Sequence, residues 1–247
     1  MTERIHAIDL ARGLALVAMV IFHLFYDLTM FMVLPSDTMR SIFWQVFASL
    51  TAGTFIFIAG ISLWLAHGDR VRWRSFAKRL GILVLASFTI SIATYLFAPQ
   101  RFIYFGILHS ITLSSLVGLL FLRCPIFLGL MVAGFCFLLP SIYESAIFDR
   151  IWLLWTGLSQ TRPPSMDYEP FFPWFGVFLL GVITARFFNI ESLSRDANHL
   201  SPAPRAASAM LVFLGRNSLL VYLVHQPLLL ALLWIGVKGI DGLLVWQ

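Results

Sequence analysis

Charged residues and cysteines are both scarce in this chain of 247 residues. Only 12% of the residues are Asp, Glu, Lys or Arg, against about 25% in soluble proteins. Hydrophobic residues make up 60%, so a water-soluble fold would lack the polar surface needed to cover them. Intrinsic disorder is excluded too, because it needs low hydrophobicity and high net charge. The composition therefore predicts an all-α, polytopic membrane helix bundle.

The two cysteines, Cys124 and Cys136, lie in or beside an apolar stretch and lack the spacing of a metal site. We therefore expect no bound metal. The net charge of +5 does not indicate a nucleic-acid partner, because Lys and Arg concentrate on the cytoplasmic side of membrane proteins. The first apolar stretch contains Asp9 and Arg12 and has no small-residue cleavage site, so we expect a retained membrane helix.

Seven apolar stretches approach the length of about 20 residues that a membrane-spanning helix needs. They cover approximately Ile8–Leu34, Ile42–Ala66, Phe76–Phe97, Phe102–Leu122, Ile126–Ile142, Phe171–Phe188 and Asn217–Val237. The polar interval Tyr143–Pro170 holds a short apolar piece, Ile151–Leu158, which we expect at the membrane interface. Ala206–Leu214 predicts a further short surface helix. Because no repeat or linker divides the chain, we expect a single domain over residues 1–247.

The turn after the second stretch carries a cluster of basic residues. Its members are Arg70, Arg72, Arg74, Lys78 and Arg79. By the positive-inside rule this turn is cytoplasmic. Seven alternating spans then place the N-terminus in the cytoplasm and the C-terminus outside.

The first stretch holds four ionisable residues on one side of its predicted helix. At about 100° per residue, Asp9, Arg12, His23 and Asp27 lie within about 60° of one another. Because lipid disfavours ionisable side chains, we expect this stripe to face the bundle interior, along a solvated path. From Arg12 to His23 the helix rises about 16 Å. The residues between them on this face are Leu16 and Met19.

Each pair in this stripe has two interpretations. Asp9 and Arg12 form either a structural ion pair or part of a binding site at the helix end. His23 and Asp27 form either a buried hydrogen-bonded pair or a catalytic pair, in which the carboxylate orients the imidazole and raises its basicity.

Two further histidines are expected within the membrane. His109 lies about two turns in from the outer face of the fourth stretch, and His225 lies about two turns deeper than Gly215–Ser218 in the seventh. Pro227 should kink that helix and free a carbonyl group. Each histidine alone is typical of a structural residue, whereas three at compatible depth favour a functional site.

Several blocks occur in one order along the chain. They are Ile8–Gly13 followed by His23 and Asp27, Phe105–His109, Asp167-Tyr168 with Pro173-Trp174, Leu214–Leu219 and Tyr222–Pro227. Together they resemble bacterial membrane proteins related to the heparan-α-glucosaminide N-acetyltransferase catalytic domain, within the transmembrane acyltransferase superfamily. The spacing from Arg12 to His23 is also similar to that of membrane O-acetyltransferases that decorate bacterial polysaccharides.

The resemblance implies a multi-pass enzyme of the bacterial inner membrane. Its acetyl donor would be cytoplasmic acetyl-CoA, and its acceptor a sugar or glycan at the outer face. In the lysosomal enzyme the catalytic histidine follows the first helix, but Met30–Trp44 contains none here. His23 is then the candidate base or acyl carrier by position, with Asp27 beside it. His225 or His109 would bind the thioester carbonyl or the acceptor.

The basic and amide side chains at the inner mouth suit the phosphates of acetyl-CoA. The candidate donor-binding residues are Asp9, Arg12, Arg216, Asn217 and Ser218.

Three other functions stay open. His23 and His225 at similar depth would suit a bis-histidine b-type haem protein. Asp27 and the histidines would suit a proton-coupled transporter, although no internal repeat supports one. The third is an inactive family member that serves as an assembly partner.

Overall fold

The computed structural model describes residues 6–188 and 206–244. Every regular element in these two ranges is helical, and they contain no strand. The α-helices are α1 (His6–Met30), α2 (Ile42–His67), α3 (Trp73–Phe97), α4 (Ile107–Gly118), α5 (Ile126–Ile142), α6 (Phe171–Phe187), α7 (Ala206–Arg216) and α8 (Ser218–Leu244). Short 3-10 turns lie at Thr38–Arg40, Pro99–Arg101, Leu119–Phe121, Ala146–Asp149 and Leu154–Thr156. The all-α prediction is confirmed for this part of the chain.

Four helices are long and apolar enough to cross a membrane: α1, α2, α3 and the segment Ser218–Gly236 of α8. Three other apolar helices are shorter. Two of these, α5 and α6, have 17 residues each, a rise of about 26 Å against a hydrocarbon core of about 30 Å. The multi-pass class is therefore supported, whereas seven spans with a cytoplasmic N-terminus stay a prediction.

The chain divides into two compact units. The first takes in Met1–Thr51 and Leu200–Gln247, and the second takes in Ala52–His199. The boundary falls within α2. A single domain over residues 1–247 stays a prediction.

In the first unit, glycines allow α1 to approach α7 closely. A Cβ atom on Gly13 would lie 2.1 Å from the carbonyl oxygen of Leu211, and one on Gly215 would lie 1.8 Å from that of Asp9. Any larger residue at either position would force the two backbones apart, so the absence of a side chain brings α1 and α7 together. This contact places the polar end of α1 against the end of α7.

The face of α1 that carries the ionisable residues is buried, as the spacing predicts. Leu16, Met19 and Asp27 are 1%, 5% and 0% exposed. On the opposite side, Leu14 and Ile21 are exposed. The polar stripe of α1 therefore faces protein rather than lipid.

In the second unit, α6 packs against α4 and α5, and it approaches α2 closely through glycines on both helices. A Cβ atom on Gly60 would lie 2.1 Å from the carbonyl oxygen of Phe178, and one on Gly181 would lie 2.1 Å from that of Phe57. The absence of side chains at Gly60 and Gly181 therefore lets α2 and α6 approach closely.

The starts of α4 and α6 follow from their sequences. The fourth stretch was expected to begin at Phe102, but α4 begins at Ile107, where the Asp167 carboxylate accepts a hydrogen bond from the Ile107 N–H at 2.9 Å. In α6, Phe172 is still extended, so regular helical geometry begins at Pro173. This is the first-turn position expected for a residue without an N–H.

Candidate active site

One polar cluster joins the ends of α1 and α7 in the first unit. Asp9 Oδ1 lies 3.5 Å from Arg12 Nη1, and Asp9 Oδ2 lies 3.3 Å from Arg216 Nε. The Asp9 side chain is 9% exposed, whereas those of Arg12 and Arg216 are 23% and 39% exposed. One buried carboxylate thus holds two partly exposed guanidinium groups. Such an arrangement suits phosphate oxygens.

Asn217 and Ser218 lie at the junction of α7 and α8. Asn217 Nδ2 donates to the carbonyl oxygen of Phe213 at 2.9 Å, and the Asn217 N–H also approaches that oxygen, at 3.2 Å. These bonds close the C-terminal end of α7, and Ser218 begins α8. The Asn217 amide therefore has a structural partner, and a donor-binding role for either residue stays a prediction.

A second polar cluster lies deeper along α1, where Asp27 meets α8. Gln226 Nε2 donates to both oxygens of the Asp27 carboxylate, at 2.8 and 3.0 Å. The sequence predicted that Asp27 would orient His23, but no hydrogen bond joins these two described residues. The reason is that both oxygens of the Asp27 carboxylate already accept hydrogen bonds from Gln226 on the neighbouring helix α8.

His23 instead contacts His225. Their ring centroids lie 5.0 Å apart, with the ring planes inclined by 57°. His225 Nδ1 lies 2.7 Å from the carbonyl oxygen of Tyr222. Because a carbonyl oxygen can only accept, Nδ1 carries the proton and the neutral ring presents a lone pair at Nε2.

Each ring of this pair has one buried nitrogen atom without a partner. Among the residues that the structure describes, His23 Nδ1, His225 Nε2 and Gln226 Oε1 have no hydrogen-bond partner. A buried polar atom left unsatisfied costs about 1–3 kcal/mol, so native proteins retain few of them. His225 Nε2, which carries the lone pair of a neutral ring, can accept a hydrogen bond from a ligand and take up its proton.

The geometry of the pair argues against the haem alternative. Axial ligation by two histidines requires the porphyrin plane to lie between the rings. Rings whose centroids are 5.0 Å apart contact each other directly and leave no space for it.

His109 has a different environment, in the second unit. Its Nδ1 accepts a hydrogen bond from the Gly106 N–H at 3.2 Å, so the proton of the neutral ring is on Nε2, which lies 3.2 Å from Ser91 Oγ. Ser91 Oγ in turn donates to the carbonyl oxygen of Ile103 at 2.5 Å. One ring nitrogen therefore caps α4 and the other contacts Ser91 on α3, and we assign His109 no part in the proposed chemistry.

Among the described residues, apolar side chains fill the interval of α1 along which a solvated path was expected. Leu16 and Met19 lie on the face between Arg12 and His23, and both are buried. The two polar clusters of the first unit are thus separated by about 16 Å of helix with apolar packing between them.

Gln226 is the residue of this site that sequence reasoning missed. The neighbouring residue His225 was named as a candidate site residue because of its imidazole, whereas Gln226 was not named. A usable signal was present, because a lone carboxylate inside a membrane helix requires a donor from another helix, and Gln226 is an uncharged donor in an apolar segment.

The loop before α6 contains a pair of acidic residues in the second unit. Asp167 accepts the Ile107 N–H, and a Cβ atom on Gly106 would lie 2.2 Å from Asp167 Oδ2, so only glycine fits there. Asp167 therefore has a structural role at the start of α4. Burial, and then the charge of Asp167, raise the pKa of Glu169, whereas Arg162 lowers it.

Comparison with known proteins gives one match. The family described as "Heparan-alpha-glucosaminide N-acetyltransferase, catalytic" matches residues 4–227. No curated protein and no solved structure gives a significant match to the chain. The matched range includes both polar clusters and the imidazole pair.

Proposed function

Because the chain belongs to the heparan-α-glucosaminide N-acetyltransferase catalytic family, we propose that it transfers an acetyl group from acetyl-CoA to a sugar or glycan acceptor. The family and the apolar helices together indicate a multi-pass membrane acetyltransferase. The donor, the acceptor and the roles of individual residues are our proposal. The observation that carries it is the contact between His23 and His225, each of which has one buried ring nitrogen without a partner.

His225 Nε2 is suited to the role of general base. Its lone pair accepts the proton of an acceptor hydroxyl or amine while the acceptor atom attacks the thioester carbonyl carbon. A C–O or C–N bond forms and the C–S bond breaks. The protonated imidazole then returns its proton to the departing thiolate of CoA.

His23 has two possible parts in this reaction. It binds the acceptor or the thioester beside His225, or its ring nitrogen attacks the thioester and carries the acetyl group to the acceptor in a second step. The hydrogen bonds between Asp27 on α1 and Gln226 on α8 hold the two helices together beside the histidine pair.

The cluster of Asp9, Arg12 and Arg216 is the proposed binding site for the donor phosphates. The long pantetheine arm would extend along α1 towards the imidazoles. In the structure Leu16 and Met19 fill this interval, so binding requires these side chains to move aside. We propose that the donor enters from the cytoplasm of a bacterial cell and that the acceptor lies at the outer face of the inner membrane.

A transfer assay tests this function. Purified protein in lipid nanodiscs is incubated with acetyl-CoA labelled in the acetyl group and with amino-sugar or neutral-sugar oligosaccharides. We expect a labelled acceptor and one free CoA per acetyl group transferred. His23→Ala should abolish transfer and keep the elution volume and thermal stability of the parent protein.

Other outcomes would contradict the proposal. Full turnover by His23→Ala would exclude His23 from the reaction. Uptake of a solute by reconstituted vesicles without any acyl donor would favour the transporter, and a Soret absorption band in the purified protein would favour the haem protein.

A further inference from the structure

A cluster of cations without carboxylate partners lies where α2 turns into α3. Arg70, Arg74 and Lys78 are exposed, and none of them forms an ion pair with an acidic residue in the described ranges. With Trp73 they line an open cleft of about 810 Å³. The indole of Trp73 is 67% exposed beside them. The cleft therefore offers positive charge and an aromatic surface, and no acidic residue lines it, although Asp69 precedes Arg70 in the same turn.

Arg72, within the same turn, has a structural role instead. Its Nε and Nη2 donate to the carbonyl oxygen of Ala66 at 3.0 and 2.8 Å, and its N–H donates to His67 Nδ1 at 3.2 Å. These bonds close the C-terminal end of α2 and hold the turn in place. The neighbouring cations are thus presented from an ordered backbone.

The start of α3 adds to the positive potential. Residue Arg72 at the N-cap makes no side-chain capping bond, and the first turn contains no acidic residue. The N-terminus of a helix is its positive end, so Arg74, in the first turn, lies where the helix dipole disfavours a cation. A bound anion would offset both the cations and the dipole.

An exposed apolar face continues along α3 from these cations. At about 100° per residue, Leu85, Ile92 and Leu96 lie within about 40° of Arg74 and Lys78. The three apolar side chains are 69%, 59% and 77% exposed. One face of α3 therefore presents a cationic end, followed by exposed apolar side chains that span about 17 Å from Leu85 to Leu96.

We propose that the α2–α3 turn binds the phosphate of an anionic phospholipid, whose acyl chains lie along the exposed face of α3. A phosphate group alone would match the cleft, but the apolar face that continues from it matches a ligand with hydrocarbon chains. CoA carries phosphates and no such chains. This lipid site is independent of the proposed acetyl transfer.

Lipid titration of the purified full chain in detergent tests the proposal, with native mass spectrometry to count bound molecules. The probes are dioleoyl phosphatidylglycerol, dioleoyl phosphatidylcholine, glycerophosphoglycerol without acyl chains, CoA and inorganic phosphate. We expect phosphatidylglycerol to bind at least tenfold more tightly than the other four. Equal binding of phosphatidylcholine, or full competition by CoA or phosphate, would overturn the proposal.

Charge-matched variants make the test specific. Each cation near a membrane surface contributes about fivefold in affinity, so Arg74→Gln with Lys78→Gln should weaken phosphatidylglycerol binding about 25-fold. Arg40→Gln with Arg123→Gln removes the same charge from exposed positions elsewhere and should leave binding unchanged. Equal losses in the two double variants would overturn the site, as would a lipid-independent dimer that covers α3.

Discussion

Replacing Gln226 with leucine removes the donor that holds the buried Asp27 carboxylate. Gln226 Nε2 lies 2.8 and 3.0 Å from the two carboxylate oxygens. A hydrogen bond to a charged group contributes about 1.5–3 kcal/mol. Both contacts come from one nitrogen atom, so we count them as a single strong hydrogen bond at the upper end of this range. We therefore expect Gln226→Leu to lower the free energy of unfolding by about 3 kcal/mol. For a chain of this size that corresponds to a fall in Tm of about 6–12 °C, measured by thermal unfolding in detergent.

Gln45→Leu is the matched control. Gln45 Nε2 donates to the carbonyl oxygen of Arg40 at 2.7 Å, but this bond is exposed and its acceptor is neutral. We expect it to cost less than about 1 kcal/mol. In combination with Asp27→Asn, the Gln226 substitution should be less than additive by about 1 kcal/mol or more. Equal Tm shifts for Gln226→Leu and Gln45→Leu, or strict additivity with Asp27→Asn, would refute the reasoning.

Three further predictions concern other parts of the chain. Gly215→Ala would place a Cβ atom 1.8 Å from the Asp9 carbonyl oxygen and should lower Tm by more than about 10 °C. The control Gly236→Ala, where a Cβ atom would have no atom within 4 Å, should leave Tm unchanged. Equal Tm values for the two variants would contradict the close approach of α1 and α7. Arg216→Gln should raise the KM for acetyl-CoA at least tenfold with little change in kcat, and an unchanged KM would exclude the cluster as the donor site. Because burial raises the pKa of Glu169, the stability that this carboxyl contributes is present below about pH 4.3 and falls as the pH rises through the folded pKa. Glu169→Gln should therefore gain in Tm over the parent as the pH rises from 4 to 8, and a difference in Tm that does not vary with pH would contradict the shift.

The sequence was sufficient to predict the helices and the buried face of α1, because both depend on local periodicity. Ionisable residues at helical spacing marked the face on which Leu16 and Asp27 are now found buried. The start of α4 was predicted at Phe102, five residues before Ile107, where the helix begins. It depends on Asp167, which is distant in sequence and accepts the Ile107 N–H.

The partners of the site residues were harder to predict, because hydrogen bonds between helices do not follow from spacing along one helix. His23 and Asp27 at i,i+4 were expected to pair, but Asp27 pairs with Gln226 and His23 contacts His225. Likewise, the role of His109 depends on Ser91 and the Gly106 N–H, whose position follows from the turn before α4. The sequence thus indicated candidate side chains, whereas their arrangement depends on the packing of α1 against α8.

The most direct measurement of the central claim is kcat for acetyl transfer by His225→Ala beside His109→Ala, each corrected for the folded fraction. Both substitutions remove an imidazole from an apolar helix, but only His225 presents an unpartnered nitrogen. General-base catalysis contributes about 10²–10⁴-fold, so His225→Ala should lose at least about a hundredfold in kcat and His109→Ala less than about tenfold. Equal losses in the two variants, or undiminished kcat in His225→Ala, would contradict an active site formed by His23 and His225.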